Sequence, residues 1–209
     1  QKTGGTVLSV GHDMAGIVFA FVHLTQPRSA VEDLANAKTI VSWGANPAEA
    51  SFCRAAWNWV CKGRENGAKL ITIDPLFTST AAHSDEWLPV RTGTDAALMC
   101  GMIHYIVDND LADWDYVKNG SVAPFLIDEA GAYLRLSNFG KAEAGADDDV
   151  PVVWDEDAGE FVAHTEAVNP AIRGTFDAEG TSVRTVFDAA MENIAPFTVE
   201  FAAEECGIS

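Results

Sequence analysis

Basic residues are scarce in this sequence. The 209-residue chain carries 13 lysines and arginines against 31 aspartates and glutamates, which gives a formal net charge of -18. A surface with so few cations is poorly suited to nucleic acid or to an anionic membrane. An anionic ligand would therefore have to be held by local dipoles and by a few placed donors.

Paired cysteines are also missing. The four cysteines, Cys53, Cys61, Cys100 and Cys206, form no Cys-x-x-Cys pair, which is the spacing of many metal sites and redox motifs. Three of them fall on predicted helices among apolar neighbours, and this is typical of buried free thiols. The pattern favours free thiols over a metal site or a set of disulfides.

Long hydrophobic runs are missing as well. The longest, Met14 to Val22, is far below the ~18 residues of a membrane-spanning helix, so no direct membrane insertion is expected. No basic segment precedes it, so the pattern of a signal peptide is not visible. Because the chain opens with Gln1, we expect it to be an excised piece of a longer protein.

The sequence does contain strands that are followed by turns and helices. Thr39 to Trp43 is a short β-branched and aromatic run, typical of a buried strand, and Pro47 to Lys62 carries apolar residues at helical spacing. Asn46 is a favoured N-cap, and Pro47 suits a first helical position. Gly44 lets the backbone turn sharply or approach a ligand closely. Two interpretations stay open: a capped structural turn, or a loop that offers helix amides to a phosphate.

The same unit recurs twice along the chain. Lys69 to Ile73 is a second predicted strand, which ends in Asp74-Pro75, and Glu86 to Val90 is a third, which ends in Arg-Thr-Gly-Thr-Asp. Thr94 to Asp108 is a predicted helix. This alternation predicts an α/β fold with a parallel sheet and helices on both faces. Ligands bind at the carboxyl ends of such strands, so we expect the three turns to lie together.

The pattern changes after Asn119. Hydrophobic runs broken by acidic Gly-containing turns predict turn-linked extended pairs from Pro124 to Thr181, with a mobile acidic surface loop at Lys141 to Asp149. Thr181 to Ile208 returns to a helical pattern. We therefore expect an α/β domain made of residues 1–123 and 182–209, and an acidic β and loop excursion at 124–181.

Several motifs resemble those of the molybdopterin oxidoreductases of the dimethyl sulfoxide reductase family. They are WGANPAEA, ITIDPLFTSTAAHSDEWLPVRTGTDAALMCGMIHYIV and FTVEFAAEECGI. Their combined order is specific, whereas each piece alone would be weak. The resemblance extends from about Ser9 to Lys118 and over the last helices, and it is loose between Pro124 and Thr181.

The resemblance implies a doubly wound, Rossmann-like domain that binds one molybdopterin guanine dinucleotide. The parent enzyme would hold molybdenum or tungsten between two such cofactors and transfer an oxygen atom or an electron pair to or from a small-molecule substrate. The resemblance allows an iron–sulfur cluster in the parent but not in this piece. The remaining domains and an electron-transfer iron–sulfur subunit would be its partners. The enzyme would be bacterial, and cytoplasmic or exported according to a leader outside this piece.

The resemblance also assigns roles to residues at the three turns. Gly44 and Asn46 would lie along the phosphates and ribose, and Asp74 or Asp95 would accept the paired N–H donors of guanine. Without the resemblance, Asp74 is equally well explained as a turn residue and Asp95 as a first-turn acid on the helix dipole. The full set of candidate cofactor-binding residues is Gly44, Asn46, Pro47, Asp74, Pro75, Thr78, Gly93 and Asp95. Thr80 is a further candidate donor.

The metal ligand is expected about three dozen residues before Gly44. Ser9 resembles the ligand serine of the dimethyl sulfoxide reductase branch, and it is the candidate catalytic and metal-binding residue. Asp13 takes this role if the register differs.

One position departs from the family pattern. The family usually has arginine after Ile-Asp-Pro, whereas this chain has Leu76, and Arg91 could supply the lost charge if the fold brings it close. Two rival interpretations remain: a non-redox nucleotide-binding domain, or a structural domain that docks an electron-transfer subunit.

Overall fold

The structure is a computed structural model that describes residues 30–50 and 55–208. It divides into two compact units, Gln1–Pro89 and Val90–Ser209. Each unit has its own sheet and its own core, and each is described separately.

The first unit contains a three-stranded parallel sheet in the order β1-β2-β3. The strands are β1 (Thr39–Trp43), β2 (Lys69–Ile73) and β3 (Glu86–Leu88). Thr39 is paired with Lys69 and Trp43 with Ile73, so β1 and β2 run in register over their whole length. The prediction that these two strands are parallel neighbours is confirmed. The third strand ends at Leu88 rather than at the predicted Val90.

Helix α1 (Ala56–Glu65) covers one face of this sheet. Val60 packs there against Ile40 and Leu70. The same helix passes close to the backbone at Leu34, where Gly63 is needed because a Cβ at its position would lie 2.5 Å from the Leu34 carbonyl oxygen. Trp57 is spaced to lie on the same helical stripe as Val60, which predicts that it is largely buried. It borders the cluster but is only partly buried, so this prediction was wrong.

The predicted start of this helix was also wrong. Residues Asn46 to Ala50 form a turn, in which the Glu49 and Ala50 N–H groups both donate to the Asn46 carbonyl oxygen. Asn46 is therefore not the N-cap of α1, and Lys62 is followed by three further helical residues. A short helix that the sequence did not predict, α2 (Ser79–Ala82), follows β2.

The second unit begins with α3 (Asp95–Asp108), close to its predicted bounds, and continues with α4 (Trp114–Gly120). Its last helices are α5 (Val186–Ile194) and α6 (Val199–Cys206). Helices α3 and α6 approach closely at Gly101, where an added Cβ would lie 2.5 Å from the Ala202 Cβ. The spacing of Leu98, Met102 and Tyr105 predicts that they line one apolar face of α3. This face is only partly covered, since Leu98 is buried whereas Met102 and Tyr105 are about half exposed.

The predicted extended pairs form two small antiparallel sheets. One has the order β4-β8-β7 and the other pairs β5 with β6. The strands are β4 (Leu126–Ile127), β5 (Val152–Asp155), β6 (Glu160–Ala163), β7 (Thr175–Ala178) and β8 (Thr181–Thr185). Their core includes the buried Leu126, Val152 and Val183.

The helical assignment of Thr181 to Thr185 was wrong. This segment is β8, and its helical successor α5 begins only at Val186. Alternation explains the strand, because Val183 and Thr185 are buried while the residues between and before them are more exposed. The predicted acidic loop is anchored at its end, since the buried Asp149 carboxylate accepts the N–H groups of Ser137 and Gly145.

The cysteine and membrane predictions can be compared with the described residues. Cys61, Cys100 and Cys206 are free thiols, and Cys206 is the buried one of the three. Cys53 lies outside the described residues. No helix within the described ranges is both long and apolar enough to cross a membrane.

Candidate functional site

Gly44 begins the turn at the carboxyl end of β1. Its φ of +57° lies in the left-handed region that favours glycine. Its N–H continues the hydrogen bonding between β1 and β2 by donating to the Ile73 carbonyl oxygen at 2.9 Å. The Ser42 hydroxyl donates to the Ala45 carbonyl oxygen at 2.9 Å across the turn. No atom of the described residues lies within 4 Å of the position that a Cβ of Gly44 would take, so these residues leave the space beside this backbone open.

Asn46 joins the turn after β1 to the turn after β2. Its Oδ1 accepts the Thr80 hydroxyl at 2.7 Å and the Thr80 N–H at 3.2 Å. The Thr80 hydroxyl oxygen in turn accepts the Ala48 N–H at 3.2 Å. Thr80 is fully buried, which gives its hydroxyl a structural role rather than contact with a ligand. The expected clustering is confirmed for these two turns.

Glu49 completes this network. It accepts the Asn46 side-chain amide at 3.0 Å and also accepts the Ser79 hydroxyl. The hydrogen bond from Ser79, and then that from Asn46, hold the pKa of the Glu49 carboxyl below its usual value. A carboxylate therefore stands in the loop where a phosphate was expected, and the Ala48, Glu49 and Ala50 amides are engaged within the protein.

Asp74 lies directly after β2 and is nearly buried, with 9% of its surface exposed. Its Oδ1 accepts the Leu76 N–H at 2.8 Å, and its carbonyl oxygen accepts the indole N–H of Trp87 at 2.9 Å. The hydrogen bond that Oδ1 accepts is the one expected of a turn residue. Oδ2 accepts no hydrogen bond from the described residues, so it is the oxygen that a guanine could use.

The segment after Asp74 holds Pro75 and the remaining candidates of this turn. The Thr78 side chain caps α2 by accepting the Ala81 N–H at 3.2 Å. Leu76 and Phe77 are mostly exposed, and the Phe77 ring meets Trp87 edge-on with centroids 4.9 Å apart. At Leu76, where the resemblance led us to expect arginine, the chain thus presents an exposed apolar side chain.

Gly93 and Asp95 belong to the second unit. Gly93 has a φ of +87°, and Asp95 is the exposed first residue of α3. Arg91 is engaged elsewhere in that unit: its guanidinium Nη1 donates to the Glu205 carbonyl oxygen at 2.8 Å, at the carboxyl end of α6. This contact uses Arg91 as a helix-end partner.

The proposed metal ligands, Ser9 and Asp13, lie outside the described residues. Within residues 30–50 and 55–208, no group of histidine, cysteine and acidic side chains could hold a metal ion. Sequence reasoning missed the Asn46–Thr80 and Glu49–Ser79 pairs. Their partners are 34 and 30 residues apart, and no local pattern connects them.

Fold and site together define an α/β protein with an open turn and an acidic residue at the carboxyl ends of parallel strands. The family model for molybdopterin oxidoreductases matches residues 6–174. The chain belongs to the molybdopterin oxidoreductase family.

Three relatives illustrate the similarity. A putative dimethyl sulfoxide reductase catalytic subunit of Halobacterium salinarum is 29% identical over 88% of this chain and 22% of its own length. The alpha subunit of the chlorate reductase of Ideonella dechloratans is 28% identical over 86% of this chain and 21% of its own. The formate dehydrogenase major subunit of Haemophilus influenzae is 40% identical over 46% of this chain and 9% of its own. The chain therefore spans about a fifth, or less, of the relatives it matches.

The described residues suit the nucleoside of a molybdopterin cofactor better than they suit its phosphates. The open backbone at Gly44 and the Oδ2 atom of Asp74 suit a nucleoside whose base offers N–H donors. The amides of residues 48–50, which could have held phosphates, are already hydrogen-bonded. Phosphate donors would have to come from other residues of the protein.

Proposed function

We propose that this chain is part of the catalytic subunit of a molybdenum or tungsten oxidoreductase, in which it binds one molybdopterin guanine dinucleotide. The parent enzyme would use a pair of such cofactors to transfer an oxygen atom or an electron pair. When bound, the metal cofactor supplies the redox chemistry, while the protein supplies binding, orientation and electrostatics.

The observation that carries this proposal is the joining of two strand-end turns by Asn46. The hydrogen bonds to Thr80 fix the turn after β1 against the residues that follow Asp74. Ligands of parallel α/β sheets bind at this edge. Family membership then makes a pterin dinucleotide the ligand to expect there.

Asp74 would read the guanine base. Guanine N1–H and its N2 amino group lie side by side, and a carboxylate can accept from both. Oδ1 already accepts the Leu76 N–H, but a carboxylate oxygen has two lone-pair sites and can accept a second donor. Asp95 is the second candidate for this role.

The surrounding acids determine how the cofactor is held. A chain of net charge -18 repels a pyrophosphate, and Glu49 stands in the same loop. The phosphates would therefore depend on donors from other parts of the parent protein. The partners proposed for the parent are its remaining domains and an iron–sulfur subunit that exchanges electrons with the metal.

Metal and nucleotide analysis of the full-length protein tests this function. Purified protein is assayed for molybdenum and tungsten, and the nucleotide released by acid is identified by chromatography. We expect one of these metals, together with guanine nucleotide. Protein that contains neither metal and no guanine nucleotide, after expression under conditions that load a known relative, would contradict the proposal.

A further inference from the structure

An open surface pocket of about 310 Å³ lies in the second unit. It is lined by Trp114, Lys118, Glu156, Ile172 and Arg173. Two of these residues belong to α4, and two belong to the segment before β7. Two of the few basic residues in this chain thus line one small pocket.

Lys118 carries a charge that its partner does not neutralise. Its ammonium donates to the side-chain amide oxygen of Asn169, which is a neutral acceptor. Asn169 is itself fixed, because its amide donates to Asp157 Oδ1 at 2.8 Å and its N–H donates to Asp155 Oδ2 at 3.2 Å. An ammonium has three donors, so Lys118 is positioned with capacity for an anionic acceptor.

Arg173 is also held in place. Its guanidinium lies over the Phe187 ring, with Cζ 4.7 Å from the ring centroid. Its Nη1 is 3.7 Å from Asp188 Oδ1, and the other oxygen of Asp188 accepts the Gly174 N–H at 2.7 Å. A guanidinium has five N–H donors. Among the residues that the structure describes, this long ion pair is the one that Arg173 makes, and it leaves most of those donors for another acceptor.

Trp114 gives the pocket an apolar wall. Its indole ring meets Phe187 edge-on at 5.7 Å, and its indole N–H donates to Asp110. Because that N–H is engaged, the indole offers its carbon surface to a ligand. Ile172 adds to the same apolar lining. The pocket thus combines an apolar wall with charged groups, and polar groups that converge beside apolar surface can fix the orientation of a small ligand.

The charges around the pocket limit the kind of ligand that it can bind. Glu156, an exposed acid, also lines the pocket, and Asp188 partly offsets Arg173. A multiply charged anion would therefore meet repulsion as well as attraction. A single negative charge on a compact apolar body suits both the two cations and the indole.

We propose that this pocket binds a small organic monoanion, with a carboxylate held between Lys118 and Arg173 and a planar apolar portion against Trp114. The site is independent of the proposed cofactor function, because it uses none of the strand-end residues. A ligand there would occupy the second unit whether or not the first unit holds a cofactor.

Fluorine-detected ligand NMR on the full-length protein tests the site. Para-fluorobenzoate is titrated beside para-fluorobenzamide, which has the same shape without the charge, and fluoroacetate, which has the charge without the ring. We expect para-fluorobenzoate to bind at least about tenfold more tightly than either of the others. Each control lacks one contact, either the charge-assisted hydrogen bond or the apolar contact of the ring, and the loss of one such contact weakens binding by about tenfold.

Substitutions then locate the binding. Lys118→Gln and Arg173→Gln are each expected to weaken para-fluorobenzoate by about tenfold, while Lys118→Arg keeps most of the affinity. Lys141→Gln, which removes a cation outside the pocket, serves as the matched control, and thermal melting confirms that each variant is folded. Equal binding of benzoate and benzamide, or equal affinity in folded Lys118→Gln and Lys141→Gln proteins, would overturn the proposal.

Discussion

Asn46 and Thr80 are 34 positions apart in the sequence, yet one amide oxygen of Asn46 accepts both the hydroxyl and the backbone N–H of Thr80. The same hydroxyl oxygen accepts the Ala48 N–H. This arrangement fixes the turn after β1 against the helix that follows β2. The geometry of the candidate site therefore depends on a buried polar contact.

Replacement of Thr80 by valine should destabilise the protein. Valine has the shape of threonine but leaves the Asn46 amide oxygen short of one donor and the Ala48 N–H short of its acceptor. An unsatisfied buried polar group costs about 1–3 kcal/mol, so we expect a loss of that size in urea unfolding. Thr39→Val changes an exposed threonine in β1 and is the control. Equal stability of the two variants would show that the Asn46–Thr80 contact does not stabilise the fold.

Acid should weaken the second unit through Asp155. This carboxylate is nearly buried and accepts four backbone N–H groups, from Val168, Asn169, Asp157 and Ala158. These bonds, led by that from Val168, hold the pKa of Asp155 below its usual value. Its stabilisation is therefore complete above the pKa of the unfolded chain, about 3.9, and is lost as the pH falls through the lower folded value.

Asp155→Asn should accordingly reduce stability at neutral pH and flatten the loss of stability below about pH 4. The measurement is the midpoint of thermal unfolding as a function of pH, with the exposed Asp115→Asn as control. An acid dependence that is as steep in Asp155→Asn as in the control would contradict the assigned role.

Alanine should be tolerated at position 101 only when Ala202 is replaced by glycine. An added Cβ would lie 2.5 Å from the Ala202 Cβ, and such overpacking costs about 1–3 kcal/mol. Alanine otherwise stabilises a helix relative to glycine by about 1 kcal/mol. We expect Gly101→Ala to destabilise the native protein but to stabilise the Ala202→Gly variant, as measured by denaturant unfolding. The same sign in both backgrounds would exclude close packing as the reason for the glycine.

Ser9 should be the protein ligand to the metal in the full-length enzyme. A serine oxygen is a hard donor that suits a high-valent metal, so Ser9→Ala is expected to keep the cofactor and lose most activity. X-ray absorption spectroscopy of wild type and variant measures the metal–oxygen distances. An unchanged set of distances would exclude Ser9 and leave Asp13 as the candidate.

The strands were predictable because their signals are local. Thr39 to Trp43 and Lys69 to Ile73 are β-branched runs bounded by turn residues, and the structure has both with the predicted bounds. The parallel pairing followed from the alternation of these strands with predicted helices.

The start of α1 was not predictable, because the residues typical of a helix start occur here for another reason. Asn46 and Pro47 are typical of a helix start, but the Asn46 side chain is taken by Thr80 and Glu49 rather than by a helix N–H. Long-range hydrogen bonding overrode the local preference. Similarly, Thr181 to Thr185 became a strand because pairing with β7 buries Val183, which periodicity over a short segment could not reveal.

Cofactor retention in an Asp74→Asn variant of the full-length protein tests the central claim most directly. Asparagine can keep the turn by accepting the Leu76 N–H, but its second position is an N–H donor that opposes the donors of guanine. Guanine nucleotide per protein is measured under limiting cofactor, with the exposed Asp33→Asn as control. We expect Asp74→Asn to be folded and to retain at least about tenfold less nucleotide than the control, the size of effect that a charge-assisted hydrogen bond allows. Unchanged retention in Asp74→Asn, and also in Asp95→Asn, would contradict the assignment of the guanine site to this chain.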